Sequence, residues 1–114
     1  MKHAGGCLFG NVRFDAEGEP SRVGICHCRY HQLRTGSTFV ISVYFPEGAV
    51  TGPSGELETY ALETENGNNL QIERCENCGT SVFWRIDSEA YAGITGVAGG
   101  CFDPPTFWYD ITRE

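Results

Sequence analysis

The apolar and polar positions of this chain alternate over short stretches broken by turn residues, a pattern that predicts strands rather than long helices. Residues 38–45 (TFVISVYF) are densest in β-branched and aromatic side chains and predict the principal strand. Residues 8–14, 21–25, 57–62, 71–74, 81–86, 90–97 and 106–111 predict further short strands. Within 57–62 the alternation puts Leu57, Thr59 and Ala61 on one face and Glu58, Tyr60 and Leu62 on the other. Turns are predicted at 15–20 (DAEGEP), 46–48, 52–55 and 66–69 (NGNN), and at Gly99-Gly100 and Pro104-Pro105. Only Arg29–Thr35 predicts a helical turn, ended by Gly36. No repeat, linker or low-complexity stretch interrupts the pattern. The fold class read from it is mainly β, turn-rich and compact.

Composition refines this in three ways. A length of 114 residues predicts one domain, residues 1–114, with a modest core. Fifteen glycines favour tight turns over long helices. Eight Lys and Arg against fifteen Asp and Glu give a formal charge of −7, which argues against broad binding to nucleic acid or to an anionic membrane. No apolar run approaches the ~20 residues of a membrane helix. The opening MKHAGGC lacks the apolar stretch of a secretion signal, so a cytoplasmic location is expected. Cysteines in such a compartment are expected to be metal ligands or reactive thiols rather than disulfides.

Six cysteines then become the centre of the chemistry: Cys7, Cys26, Cys28, Cys75, Cys78 and Cys101. Cys26, Cys28 and His31 form a C-x-C-x-x-H cluster (CHCRYH). Cys26 and Cys28, two apart on extended chain, face the same way, and the turn that follows can bring His31 round to them. Three ligands with a fourth position left open is the arrangement of a catalytic zinc, able to take water or a thiol. The plain alternative is that His31 is a surface residue of the helical turn. Cys75 and Cys78, with Gly79, form a C-x-x-C knuckle (CENCG) between two predicted strands. A thioredoxin-like redox pair is the competing reading, but such a pair opens a helix, and residues 80–84 predict a strand. Cys7, beside Gly5-Gly6, can join the knuckle across the sheet to give three thiolates.

The segments GGCLFGNVRF (5–14), CHCRYHQLRTGS (26–37), CENCGTSVFW (75–84) and GGCFDPP (99–105) resemble the glutathione-dependent formaldehyde-activating enzymes, a family grouped with the centromere protein V domain. The resemblance runs over nearly the whole chain. It implies several small coiled antiparallel sheets around zinc, similar to the Mss4-like fold, and two zinc sites. It implies that Cys7, Cys75 and Cys78 match structural ligands, and that Cys26 and Cys28 match ligands of a catalytic zinc that receives the glutathione sulfur. The implied reaction adds the thiol of glutathione to formaldehyde, a carbon–sulfur lyase chemistry. Two positions depart from the family pattern. Phe9 stands where a second cysteine of Cys-x-Cys belongs and cannot bind zinc, and His31 stands where a cysteine belongs and can.

The sequence therefore leaves one or two zinc ions open, with a merged site of Cys7, Cys75, Cys78 and one of Cys26 or Cys28 as the rival arrangement. Cys101 is a further thiol, able to stand in as a fourth ligand or simply to be buried. The first functional expectation is an enzyme acting on a glutathione-like thiol and a small aldehyde, with Cys26, Cys28 and His31 as its catalytic residues. The alternative is a non-catalytic zinc-binding module of the same fold. Arg22, Arg29 and Arg34 lie near the cluster and are candidates to hold carboxylates, against the simpler reading of solvated surface arginines. Tyr30 is a candidate proton donor, although a tyrosine there more often packs. Trp84, Phe102, Phe107, Trp108 and Tyr109 are expected in the core or lining a pocket, and Asp103 in a turn.

Overall fold

The computed structural model describes residues 1–64 and 66–114. Among these residues nine strands form two antiparallel sheets. β1 (Lys2–Gly6), β2 (Arg13–Glu17) and β5 (Val50–Ser54) make the smaller sheet in the order β1-β2-β5. The larger has the order β3-β4-β9-β8-β7-β6, from β3 (Arg22–Cys26), β4 (Val40–Pro46), β6 (Leu57–Glu63), β7 (Asn69–Cys75), β8 (Ser81–Asp87) and β9 (Ile94–Ala98). A helix, α1 (Arg29–Thr35), follows β3 and closes on Gly36, whose φ of 76° and N–H to the Gln32 carbonyl form the left-handed cap expected from the sequence.

β4 reads as an almost unbroken apolar run because both of its faces are covered. Val43 and Phe45 point into a core shared between the two sheets, with Phe14, Ala16, Val82, Val97 and Phe102. Val40 and Tyr44 point the other way, into a second cluster with Leu70, Ile72 and Trp84. Period-2 alternation thus separates two apolar groups instead of an apolar and a polar face. Trp84, 2% exposed, satisfies its indole N–H by donating to Ser42 Oγ at 3.1 Å. α1 lies on this second face. Arg34 stacks its guanidinium carbon 4.8 Å from the Trp84 ring centroid, and the Tyr30 hydroxyl donates to the Glu63 carbonyl at 3.0 Å.

Several expectations are corrected. Residues 8–12 form a turn rather than the start of a strand; the strand begins at Arg13, and β1 precedes it where none was expected. β1 runs through Gly5 because a Cβ there would lie 2.4 Å from the Cys101 carbonyl oxygen, so only glycine permits that approach. The predicted turn at 52–55 lies largely within β5. Residues 90–93 are a 3₁₀ turn and its exit rather than strand. The expected strand at 106–111 is irregular chain: Phe107 has a φ of 56° and is 64% exposed, against its expected place in the core or lining a pocket. Its neighbours anchor by side chain instead, Trp108 stacked on His3 and the Tyr109 hydroxyl donating to the Gly99 carbonyl at 3.0 Å. The turn signal at 66–69 falls between β6 and β7, with Asn69 already in β7, and the strands on either side of the knuckle follow the sequence reading.

Candidate metal centres

The chain gathers its soft ligands at two separate places. Cys7, Cys75 and Cys78 have ligand atoms all within 4.8 Å of one another, and so do Cys26, Cys28 and His31. The two groups share no residue, so the merged arrangement is not the one formed, and Cys101 stands outside both. All six cysteines are free thiols.

The first group is built by two tight turns meeting edge to edge. β7 ends at Cys75, the Cys75 N–H donates to the Thr80 carbonyl at 2.9 Å, and the Gly79 N–H returns to the Cys75 carbonyl at 2.8 Å. Gly79 adopts a φ of 78°, the left-handed conformation this return requires. No helix follows; the chain enters β8 directly, which disposes of the thioredoxin-like reading. Opposite, the turn after β1 holds Cys7 through its N–H to the Val12 carbonyl, and the Val12 N–H donates to Cys7 Sγ at 3.2 Å. The two turns are stitched by Leu8 N–H to Thr80 Oγ1 and by Asn77 to Asn11.

These donors favour ionisation of two of the three thiols, Cys78 and Cys7; at Cys75 the knuckle N–H groups are outweighed by burial and the neighbouring thiols, and the pKa rises. The Thr80 hydroxyl, 3.2 Å from Cys78 Sγ, and the Thr80 backbone N–H lower the Cys78 pKa to about 6. At Cys7 burial resists ionisation, but the Val12 N–H and its neighbours outweigh it and the pKa falls. Cys101 behaves in the opposite way: burial raises its pKa to about 11, as befits a thiol packed as a small apolar group. The Phe9 side chain is 73% exposed and supplies no ligand to the cluster. Thr80 is a contributor that sequence reading passed over, although a hydroxyl directly after C-x-x-C-G was its available signal.

The second group sits where β3 gives way to α1. Cys26 is the last residue of the strand, and Cys28 is the helix N-cap with extended backbone (φ −69°, ψ 152°). Extended chain between them keeps both thiols on one side, as the spacing predicted. His31, in the first turn of α1, places Nδ1 3.0 Å from Cys28 Sγ. Burial, and then the charge of Arg34, lowers the His31 pKa, so the ring is neutral at pH 7 and has a nitrogen lone pair to give. Burial also raises the Cys26 pKa. Two sulfurs and one imidazole nitrogen suit a soft-to-borderline divalent metal, which these three residues would hold with a position left for a further ligand.

Of the other candidates, Arg22 stacks on Tyr91 at 4.6 Å and donates to the Ala90 carbonyl, away from the cluster. Arg29, Tyr30 and Arg34 line a cavity of about 780 Å³ beside α1, whose far wall comes from Tyr60, Leu62, Ile72 and Arg74 of β6 and β7. Asp103 pairs with Arg13 at the surface. Phe102 and Tyr109 are buried in the shared core.

Among solved structures, the chain is similar to the crystal structure of a Rhodobacter sphaeroides protein, with a TM-score of 0.68 and 17% identity over 100% of each chain. That likeness concerns the fold. A search of curated proteins returns no match. The profile of the family described as "Glutathione-dependent formaldehyde-activating enzyme" matches residues 2–112, which contain both cysteine groups and every strand. By that match across nearly its full length, the chain belongs to the glutathione-dependent formaldehyde-activating enzyme family.

Proposed function

We propose that this protein, as one domain of residues 1–114, is a zinc-binding enzyme of carbon–sulfur chemistry that joins or cleaves a glutathione-type thiol and a small aldehyde. The observation that carries the reading is the gathering of Cys26, Cys28 and His31, three ligand atoms within 4.8 Å of one another, where β3 gives way to α1, the helix whose Arg29, Tyr30 and Arg34 line the cavity. Zinc, when bound, supplies an open position at which a thiol is held as its thiolate. Cys26 and Cys28 would contribute two negative charges and His31 none, so the donor set balances a divalent cation and leaves it able to accept one more anion. In the addition, sulfur forms a bond to the carbonyl carbon, the C=O π bond opens, and the proton lost by the thiol ends on the new hydroxyl. The reverse path returns both reactants. Holding sulfur and carbonyl side by side in the cavity is the main contribution expected of the protein. The Tyr30 phenol is engaged with the Glu63 carbonyl, which supports a wall position for this residue rather than a proton donor's. Cys7, Cys75 and Cys78 would hold a second, structural zinc.

A second reading, a non-catalytic zinc module, has one observation in its favour: exposed Phe9 leaves the knuckle group at three ligands. Elemental analysis followed by calorimetry separates the two. The enzyme reading expects two zinc ions per chain and glutathione binding that vanishes when Cys28→Ser removes a ligand. One zinc ion per chain, with glutathione binding equal in parent and variant, sinks it.

A further inference from the structure

One unpaired cation and one cavity coincide on the α1 side of the larger sheet. All three guanidinium nitrogens of Arg34 are buried, and none has a hydrogen-bond partner among the described residues. Arg13, Arg74 and Arg85 each pair with a carboxylate. Arg34, in a chain of net charge −7, has only the face of Trp84. Stacking on an indole offsets part of the desolvation of a buried guanidinium, but it leaves every N–H unsatisfied. A buried donor set of this kind marks a missing acceptor.

Position says what that acceptor is. Arg34 lies three residues beyond His31 on α1, just under one helical turn or about 4.5 Å along the axis. It borders the cavity whose remaining wall is largely apolar and aromatic, from Leu33, Tyr60, Leu62 and Ile72. A ligand with sulfur at the Cys26–Cys28–His31 group that extends along α1 into the cavity passes Arg34 within the next helical turn. In glutathione the glycine carboxylate is the nearer of the two to sulfur, at about 6 Å in an extended chain.

We infer that Arg34 determines specificity at the α1 cavity: its guanidinium receives the carboxylate nearest the sulfur of the thiol ligand. The inference rests on the thiol site proposed above. The nitrogens are covered as the chain stands, so reaching the carboxylate swings the fork away from the Trp84 ring and into the cavity. A planar fork facing a carboxylate gives two parallel bonds, which an ammonium does not reproduce.

The test uses the full zinc-loaded chain and two probes, S-methylglutathione and its glycine ethyl ester, with calorimetry and tryptophan fluorescence as readouts. Both probes have a blocked sulfur, so the comparison does not depend on thiol capture. The parent is expected to bind the acid roughly tenfold to a hundredfold tighter than the ester, the effect of a charge-assisted guanidinium–carboxylate contact. Only the acid is expected to change Trp84 emission strongly. Arg34→Gln is expected to bring the acid-to-ester ratio close to one. Should that variant fail to fold, Arg34→Lys reads the same contact by lowering the ratio while keeping the charge. Equal binding of acid and ester by the parent, an unchanged ratio in the variants, or binding of neither probe overturns the inference. Failure of the thiol site shows elsewhere: glutathione and S-methylglutathione then bind the zinc-loaded chain equally, whatever the acid-to-ester ratio.

Discussion

Replacing Cys75 by serine and, separately, Cys28 by serine divides the two cysteine groups by what each does for stability. Cys75 is 1% exposed, belongs to the core shared by the two sheets, and meets Cys7, about 70 residues away in sequence. A metal clip across a loop of that length removes chain entropy from the unfolded state worth up to about 4 kcal/mol on the loop-closure estimate. Free zinc at about a thousand times its dissociation constant gives a similar figure, about 4 kcal/mol, less whatever zinc binds to the unfolded cysteines. In a domain of this size 1 kcal/mol corresponds to about 4 °C in Tm. Chelation of zinc should therefore lower the Tm of the parent by about 10–15 °C. Cys75→Ser should begin near that lowered value and respond little to chelator. Cys28 is exposed and closes only a three-residue span with His31, so Cys28→Ser should change Tm by no more than about 2 °C and keep most of the chelator response. Differential scanning calorimetry with and without chelator reads all three. A chelator response lost in Cys28→Ser and intact in Cys75→Ser would show that the clip is not at the knuckle.

Two further outcomes follow from single contacts. Ser42→Ala strands the buried indole N–H of Trp84 and should cost about 1–3 kcal/mol, seen as a lower urea midpoint with an unchanged m-value. Arg13 holds the Asp103 pKa below the usual carboxylate value. Asp103→Asn should therefore cost stability above pH ~4, and parent and variant should converge as pH falls through the depressed value. Both side chains are nearly half exposed, so the difference at neutral pH should stay below about 1 kcal/mol, and equal pH profiles of unfolding for the two proteins would count against the pairing.

What could be read from sequence was set by neighbours in the chain. α1 ends at Gly36 because the left-handed cap is local to that residue, and Cys26 and Cys28 face one way because extended backbone repeats every two residues. The knuckle announced itself in the same way, through C-x-x-C-G with strand residues after it and no helix for a redox pair to open. The strand at 106–111 misled because aromatic density is a packing signal. Trp108 and Tyr109 do pack, against His3 and the Gly99 carbonyl, but their backbone joins no ladder. β1 was missed for the converse reason: its glycines carry no apolar signal, and the close approach of the Cys101 carbonyl that selects Gly5 comes from a distant part of the chain.

The sequence by itself determined the ligand types, the spacing within each half-site, the helix that carries His31 and the mainly β class, because each depends on torsions and periodicity within a few residues. Tertiary structure alone decided that Cys7 joins Cys75 and Cys78 rather than the Cys26 group, that Phe9 turns outward, and that the Arg34 guanidinium is buried over Trp84 beside a cavity walled by β6 and β7. Those outcomes depend on which strands pair across long loops. The closure entropy and the burial that settle such pairings belong to the whole chain, so no short window of residues encodes them.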